Sequence, residues 1–275
     1  MYSQEKNTNE RYIVPAVEQA SQVLFCLAGA ASPHMSLIEI SSQVGIHKSK
    51  AFSILRTLQK FGLVQRNNGG KGYSLGPGLI GLSRRFLDNL NAPRLAEPML
   101  QELARKAEGT AILGLIADKN VFVAAKHEVD RDIGVTIRVG RRFPLTYGSH
   151  GKAIAAFLPQ KELNQLLHDG DLYFHGKPEH FDRARLHEEL AQCRRDWFAV
   201  DEGEVMQGLN TVSAPVFGPG TTPIGYVVVM GLFSGKAARE FGPSVAEAGK
   251  ALSRQLGADI EAIDKALARP HTVDS

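Results

Sequence analysis

The stretch GIHKSKAFSILRTLQKFGLV, residues 45–64, decides the fold of the first third of the chain. With successive residues 100° apart, one side of a helix over about 47–60 carries Ile54, Leu55, Leu58 and Phe61. The opposite side lacks acidic residues and consists of Ser49, Phe52, Ser53, Arg56 and Lys60, flanked by Lys48 and Lys50. A basic face without acidic partners favours contact with a polyanion, and a solvated surface face is the alternative interpretation.

The neighbouring segments make this helix part of a winged helix-turn-helix. Before it, Ser36 and Glu39 have the spacing of a capping box, which begins a short helix that ends at Gly45. After it, two short strand-forming segments flank the turn sequence NNGG, with Arg66 and Lys71 on either side of the tip. A basic hairpin at this place predicts a wing that lies along a phosphate backbone.

Charge and composition divide the chain and exclude several protein classes. Residues 1–92 hold ten Lys or Arg against five Asp or Glu, whereas residues 93–275 hold 22 against 24. No apolar run approaches the roughly 18 residues that cross a bilayer, and the first dozen residues lack the apolar block of a signal peptide. We therefore expect a cytoplasmic protein without membrane contact, in which Cys26 and Cys193 are buried thiols.

The remaining two thirds alternate between strand and helix patterns. This predicts an α+β fold with a mostly antiparallel sheet and helices outside it. The predicted elements include a strand over 133–140, a helix that starts near Lys152 and one long C-terminal helix over 244–267. The first helix of this part is expected to end at Gly109.

Three segments, in matching order and spacing, resemble the IclR-type transcriptional regulators. They are residues 45–64 with GGKGYSLGPGLIGL at 69–82, VGRRFPLTYGSHGKAIAAFLP at 139–159 and DEGEVMQGLNTVSAPVF at 201–217. The resemblance runs from about Val14 to Ala268. It implies a winged helix-turn-helix, a linker helix and a GAF-like effector-binding domain. It also implies a homodimer or dimer of dimers that binds double-stranded operator DNA near catabolic genes.

The resemblance and the sequence patterns together predict four parts. We expect a flexible tail at 1–12, a winged helix-turn-helix domain at 13–77, a linker helix at 78–92 and an effector-binding domain at 93–270. The linker contains Leu79, Leu82, Phe86 and Leu90 at helical spacing. These residues suit either a contact between subunits or packing on their own domain.

The expected DNA contacts combine phosphate-binding and base-reading positions. They are Ser36, Lys48, Ser49, Lys50, Phe52, Ser53, Arg56, Arg66 and Lys71. Lysines at the helix entry suit phosphates, and Arg56 has the reach to bind guanine. The family usually has threonine at the Lys50 position and often arginine at the Ser53 position, so we expect an unusual operator.

The resemblance also implies an effector pocket. Its expected residues are Ser149, His150, Gly151, Asp201, Leu209, Thr211, Val228 and Met230. The start of a helix near Lys152 would present backbone N–H groups to a carboxylate. Family members that bind small hydrophilic acids have serines at the Val228 and Met230 positions, so apolar residues here predict an effector with an apolar or aromatic body. Alternatively, these two side chains are ordinary core.

Other functions remain open at this point. Ser149, His150 and Asp201 are the residue types of a hydrolytic triad, although adjacent Ser and His rarely face each other. A small-molecule-processing enzyme with a basic accessory domain is therefore the alternative, and a second domain used only for oligomerisation is a third possibility. Neither the acids at 201–204 nor His168, His175, His180 and His187 have the spacing of a metal site. We expect no metal and no cofactor.

Overall fold

The structure, a computed structural model, describes residues 13–67, 72–82, 91–129, 134–168 and 170–268. The chain divides into two compact units, residues 1–89 and 90–275. The tail predicted at 1–12, the DNA contact predicted at Lys71 and most of the predicted linker lie outside the described residues. None of the described helices is long and apolar enough to cross a membrane.

The first unit is a helix-turn-helix followed by a two-stranded hairpin. Its elements are α1 (Pro15–Gly29), α2 (Leu37–Val44), α3 (Lys48–Lys60), β1 (Val64–Arg66) and β2 (Tyr73–Leu75). Both hydrogen bonds of the predicted capping box are present at the start of α2. The apolar sides of the three helices and of the hairpin share one core, which includes Val23, Ile40, Leu55, Val64 and Tyr73.

The structure corrects one residue of the predicted apolar side of α3. Ile54, Leu55 and Leu58 are buried as expected, but Phe61 is 66% exposed. The reason is that α3 ends at Lys60, so the helical period no longer applies at the following residue. Gly62, with φ of +70°, then turns the chain toward β1.

The predicted linker helix covers residues 78–92, and the structure describes its first residues. Residues 78–82 are helical. Leu79 is half-buried, Leu82 is 61% exposed, and Phe86 and Leu90 lie outside the described residues. The proposed use of this segment in a contact between subunits therefore stays a prediction.

The second unit is an antiparallel sheet with helices on both faces. Its elements are α4 (Asn91–Ala107), β3 (Thr110–Ala117), β4 (Asn120–Glu128), β5 (Arg142–Pro144), α5 (Gly148–Ala155), α6 (Gln160–Leu166), α7 (Arg183–Asp196), β6 (Ala199–Glu202), β7 (Asn210–Phe217), β8 (Pro223–Gly231), α8 (Gly235–Gln255) and α9 (Ile260–Ala268). Among the described residues, six strands pair in the order β5-β4-β3-β8-β7-β6. The predicted α+β class with an antiparallel sheet is confirmed.

Alternate strand residues divide between the two faces of this sheet. Ala111, Leu113, Val227 and Val229 pack in one cluster with the apolar sides of α4 and α8. Their neighbours Ile112, Val228 and Met230 point to the opposite face, where they pack with Ile154 of α5. The second face is the one that carries the candidate site, because α5 covers it.

Three predicted elements of this unit were wrong in their details. Residues 134–138 form no strand: Val135 and Ile137 are half-buried between exposed neighbours, which gives strand-like alternation without strand pairing. Helix α4 ends at Ala107, before Gly109, because Glu108 takes the left-handed conformation. The long C-terminal helix is two helices, α8 and α9, because the chain turns at Gly257 with φ of +92°.

Candidate DNA-binding and effector sites

The acid-free side of α3 is exposed along its length. Six predicted contacts lie there: Lys48, Ser49, Lys50, Phe52, Ser53 and Arg56. Phe52 is 44% exposed, so the aromatic ring is not used in the core of its own domain. No ion pair joins these basic side chains to a carboxylate among the described residues. Their positive charge is therefore available to a polyanion.

Local hydrogen bonds fix several of the small side chains on this surface. The Ser53 hydroxyl donates to the carbonyl oxygen of Ser49 at 3.1 Å, which leaves the Ser53 oxygen lone pairs for a donor on another molecule. The His47 ring lies 3.0 Å from the Ser49 hydroxyl at the start of α3. Ser36 accepts a hydrogen bond from the backbone of Glu39, so it also orders the entry to α2.

The hairpin carries the predicted Arg66 at the end of β1. Arg66 is directly opposite Tyr73 in the antiparallel pair, and its guanidinium carbon lies 5.8 Å from the centre of the tyrosine ring. The Asn67 side chain accepts a hydrogen bond from the Gly72 amide at 3.3 Å. These contacts hold the described base of the wing in a defined orientation.

The strand register of the second unit brings the predicted effector residues together. Thr211 pairs with Asp201 on one side and with Met230 on the other, so the three side chains share a row across one face. In the adjacent row on that face, Val228 pairs with Ser213. Leu209, just before β7, belongs to the same buried cluster as Val228 and Met230.

Helix α5 covers these rows and contacts them through hydroxyl groups. The Ser149 hydroxyl oxygen lies 2.5 Å from that of Thr211 and 2.8 Å from that of Ser213. The helix begins at Gly148, not near Lys152 as the sequence suggested. Ser149, His150 and Gly151 therefore lie in its first turn rather than in a preceding loop.

Two glycines let this helix approach its surroundings closely. Gly148 has φ of +51°, and a Cβ there would lie 2.8 Å from a methyl group of Val205. A Cβ at Gly151 would lie 2.5 Å from the carbonyl carbon of Thr146. Gly151 thus allows α5 to pack closely on the preceding chain, and its predicted contact with an effector stays a prediction.

His150 is part of a buried aromatic stack. Its ring lies 4.5 Å from the ring of Tyr226, with 13° between the two planes. The Tyr226 ring also lies next to its strand partner Gly114, where a Cβ would overlap the ring. Burial lowers the pKa of His150 to about 4, although a hydrogen bond to the carbonyl oxygen of Pro144 opposes this shift. The imidazole is therefore neutral at physiological pH.

Asp201 is buried with one carboxylate oxygen unpaired. Its Oδ1 atom accepts the amide of Glu204 at 3.1 Å, whereas Oδ2 has no hydrogen-bond partner among the described residues. Burial raises the pKa of Asp201, while the nearby Lys152 ammonium lowers it. An unpaired buried oxygen is costly in the absence of a ligand, which makes Oδ2 a candidate contact for a hydrogen-bond donor.

The residue types of a hydrolytic triad do not form a triad in this structure. Ser149 is hydrogen-bonded to Thr211 and Ser213, and His150 Nε2 lies 3.4 Å from the Pro144 carbonyl oxygen. The described part of the chain contains no group of three or more His, Cys, Asp or Glu residues that could hold a metal ion. Glu204 and His175 instead belong to a network of ion pairs around Lys152.

Comparison with known families finds a match in each of the two units. The model of the IclR helix-turn-helix domain matches residues 16–68, and that of the bacterial transcriptional regulator IclR C-terminal domain matches residues 84–256. The chain belongs to the IclR family of transcriptional regulators. Like other members, it combines a DNA-binding helix-turn-helix with an effector-binding domain.

Relatives of this IclR-family protein match nearly their whole length. The transcriptional regulator XynR of Escherichia coli is 31% identical over 89% of this chain and 98% of its own. The glycerol operon regulatory protein of Streptomyces griseus is also 31% identical, over 89% and 97%. An IclR regulator from Alicyclobacillus acidocaldarius has the same fold, with a TM-score of 0.75, 24% identity and coverage of 90% and 98%.

A second solved IclR homologue was crystallised with a ligand. It comes from Microbacterium hydrocarbonoxydans, is complexed with 4-hydroxybenzoate, and matches with a TM-score of 0.69. The two sequences are 16% identical over 87% of this chain and 99% of that one, which establishes a shared fold.

Sequence reasoning missed two residues of the candidate effector site and a buried cation next to it. Ser213 and Tyr226 lie on the same face as Thr211 and Val228, and the period of two along each strand could have identified them. Lys152, predicted only as the start of a helix, is a fully buried cation. A lysine within the apolar run that follows Gly151 was the available signal.

Proposed function

We propose that this regulator controls a catabolic operon in response to a small organic acid with an apolar, aromatic body. The sheet face under α5 carries the proposal, because it joins a polar end to an apolar end. Ser149, Thr211, Ser213 and Asp201 supply hydroxyl and carboxyl groups. Val228, Met230 and Leu209 supply buried apolar surface beside them.

The carboxylate of the effector would bind at the first turn of α5. The Gly148 and Gly151 amides donate to Tyr173 and Tyr147, while no acceptor among the described residues takes the Ser149 and His150 amides. Free N–H groups at a helix start favour a negative charge. The aromatic body would extend toward the apolar residues of β8, where burial of apolar area is worth about 25 cal/mol per Å².

On the DNA side, we propose a homodimer that places two α3 helices in successive major grooves of a near-palindromic operator. Phosphates would be bound by Lys48, Ser49, Lys50 and Arg66, and Ser36 and Lys71 are further proposed DNA contacts. Phe52, Ser53 and Arg56 would contact base edges. Effector binding would change operator affinity by favouring one arrangement of the subunits, through the linker helix.

The test is fluorescence anisotropy with the intergenic DNA upstream of the protein's own gene. Titrations at two salt concentrations would compare this DNA with a random duplex of equal length. Each would be repeated with a panel of aliphatic and aromatic carboxylic acids that includes benzoate and 4-hydroxybenzoate. We expect the specific duplex to bind at least about 1,000-fold more tightly than the random one, which is the lower end of the range for specific regulators.

The effector class has its own expected result. An aromatic acid should change operator affinity at least fivefold, while acetate and pyruvate leave it unchanged. A response to pyruvate alone would overturn the aromatic class. If acids are consumed by the purified protein while DNA affinity does not change, the alternative of an enzyme with a basic accessory domain would replace the proposal.

A further inference from the structure

A group of charged side chains lies behind the effector site and does not belong to it. Lys152 is 1% exposed, and its ammonium lies 3.0 Å from Glu189 and 3.1 Å from Glu204. Glu189 belongs to α7, while Glu204 lies in the loop after β6. The lysine therefore joins three separate parts of the second unit.

The two glutamates use their oxygens on opposite sides. Each directs Oε2 toward the buried Lys152 and Oε1 toward Arg185, whose side chain is 47% exposed. His175 accepts the Asp182 amide at Nδ1, so its Nε2–H donates to Glu189. Two cations thus neutralise the two carboxylates. Lys152 contacts both glutamates from the interior, and Arg185 contacts both from the surface.

This network acts on the two segments that form the polar end of the site. Lys152 is three residues after Ser149 on α5, and Glu204 is three residues after Asp201. Other contacts of the loop at 203–208 are local or apolar: Asp201 accepts the amides of Glu204 and Val205, Leu209 donates to Met206 at 3.0 Å, and the Val205 side chain lies close to Gly148 of α5. Met206, in this loop, is 57% exposed.

We propose that Lys152 is a positioning residue that fixes the loop at 203–208 against α5 in the arrangement that binds the effector. The inference rests on the proposed effector site but concerns a residue that would not touch the ligand. A buried lysine is retained at considerable desolvation cost, and its carboxylate partners offset that cost only in this geometry. Loss of the ammonium would release the loop and Asp201 with it.

The test is amide hydrogen exchange of the full-length protein without ligand. Lys152→Met removes the charge at nearly constant length, and Lys152→Met with Glu204→Gln restores the charge balance without restoring the tie. Peptides over 200–209 should exchange at least tenfold faster in both variants, while peptides from α4 keep their wild-type rates. Arg185→Met is the matched control, because it removes the exposed cation from the same glutamates, and it should change exchange less than twofold.

The double variant distinguishes positioning from simple charge balance. If its exchange over 200–209 returns to the wild-type rate, the lysine only neutralises the glutamates and the proposal is wrong. The same holds if Lys152→Met exchanges like the wild type. If Lys152→Met alone does not fold, the exchange rates of the charge-balanced double variant over 200–209 still test whether Lys152 positions the loop.

Binding of 4-hydroxybenzoate, measured by calorimetry, is the second readout. The double variant should bind this probe at least tenfold more weakly than the wild type, whereas its affinity for random DNA is unchanged. If the wild type binds no acid of the panel, the effector class under Proposed function fails. The exchange rates would still decide the role of Lys152.

Discussion

The neutral, buried His150 makes stability depend on pH in a defined direction. Its pKa is about 4 in the folded protein and near 6.5 when exposed, so the unfolded chain binds the proton first as pH falls. The stability contribution is complete above pH 6.5 and is lost as pH falls toward 4. We expect the loss of this contribution to lower the free energy of unfolding by about 3 kcal/mol between pH 6.5 and pH 4.

Chemical denaturation of the wild type and of His150→Phe at pH 7 and pH 4.5 would measure this effect. Phenylalanine keeps a flat ring against Tyr226 but has no proton to bind. The wild type should lose more stability than the variant over that interval. His168→Gln, the replacement of an exposed histidine, is the control for loss of an imidazole outside this stack. If the wild type and His150→Phe lose equal free energy of unfolding between pH 7 and pH 4.5, the prediction is wrong.

Arg56 is expected to read a base rather than a phosphate. Arg56→Ala should cost about 1–3 kcal/mol on the specific operator and relax base preference at one position of each half-site. Competition binding against a set of single-base operator variants would measure both effects. Arg254→Ala, an exposed arginine of α8, should change neither. If preference stays intact in Arg56→Ala, the assignment of this surface to base contact is wrong.

At the residue scale, the sequence identified side chains better than it identified their partners. Ser149 and His150 were found because they belong to a motif, but a motif gives no information about what faces it. Their partners Thr211, Ser213 and Tyr226 are more than 60 residues away in the chain. Only the register of β7 and β8 places them beneath α5, and register depends on pairing across the whole sheet.

At the element scale, the close contact between β3 and β8 gives the next prediction. Gly114 pairs with Tyr226, and its missing side chain leaves room for the tyrosine ring that supports His150. Gly114→Ala would force this ring out of its present position and should lower the free energy of unfolding by about 1–3 kcal/mol. Thermal and denaturant unfolding would measure it.

Gly220→Ala is the matched control for this strand contact. Nothing lies within 4 Å of the Cβ that it would add, and Gly220 is not among the glycines with positive φ. The control should stay within about 0.5 kcal/mol of the wild type. If Gly114→Ala is as stable as Gly220→Ala, the Tyr226 ring moves without cost. The stack of His150 on Tyr226 would then not hold α5 in place.

Elements themselves were predictable where a local pattern determines them. The capping box before α2 and the period of α3 involve residues three or four apart, so the sequence contains all the necessary information. The segment at 134–138 was misassigned because alternation reports which side is buried, not whether a neighbouring strand is available. The start of α5 was placed late because Gly148 and Gly151 have low helix propensity, which packing overrides here.

At the scale of the whole molecule, the distribution of charge predicts how DNA binding responds to salt. Each lysine that neutralises one phosphate of double-stranded DNA contributes about 0.9 to the slope of log affinity against log salt concentration. If one subunit binds the operator, Lys50→Ala should reduce this slope by about 0.9. If two subunits each place α3 in a major groove, the same change should reduce it by about 1.8.

We expect the larger value, because a near-palindromic operator engages both helices of a homodimer. Anisotropy titrations at four or more salt concentrations would give the slope, on the specific operator and on random DNA. Affinity should fall on both duplexes, since phosphates carry no sequence information. Lys236→Ala, which removes an exposed lysine of α8, should leave the slope unchanged. A reduction near 0.9 on the specific operator would indicate that only one recognition helix binds, and would contradict the dimeric arrangement.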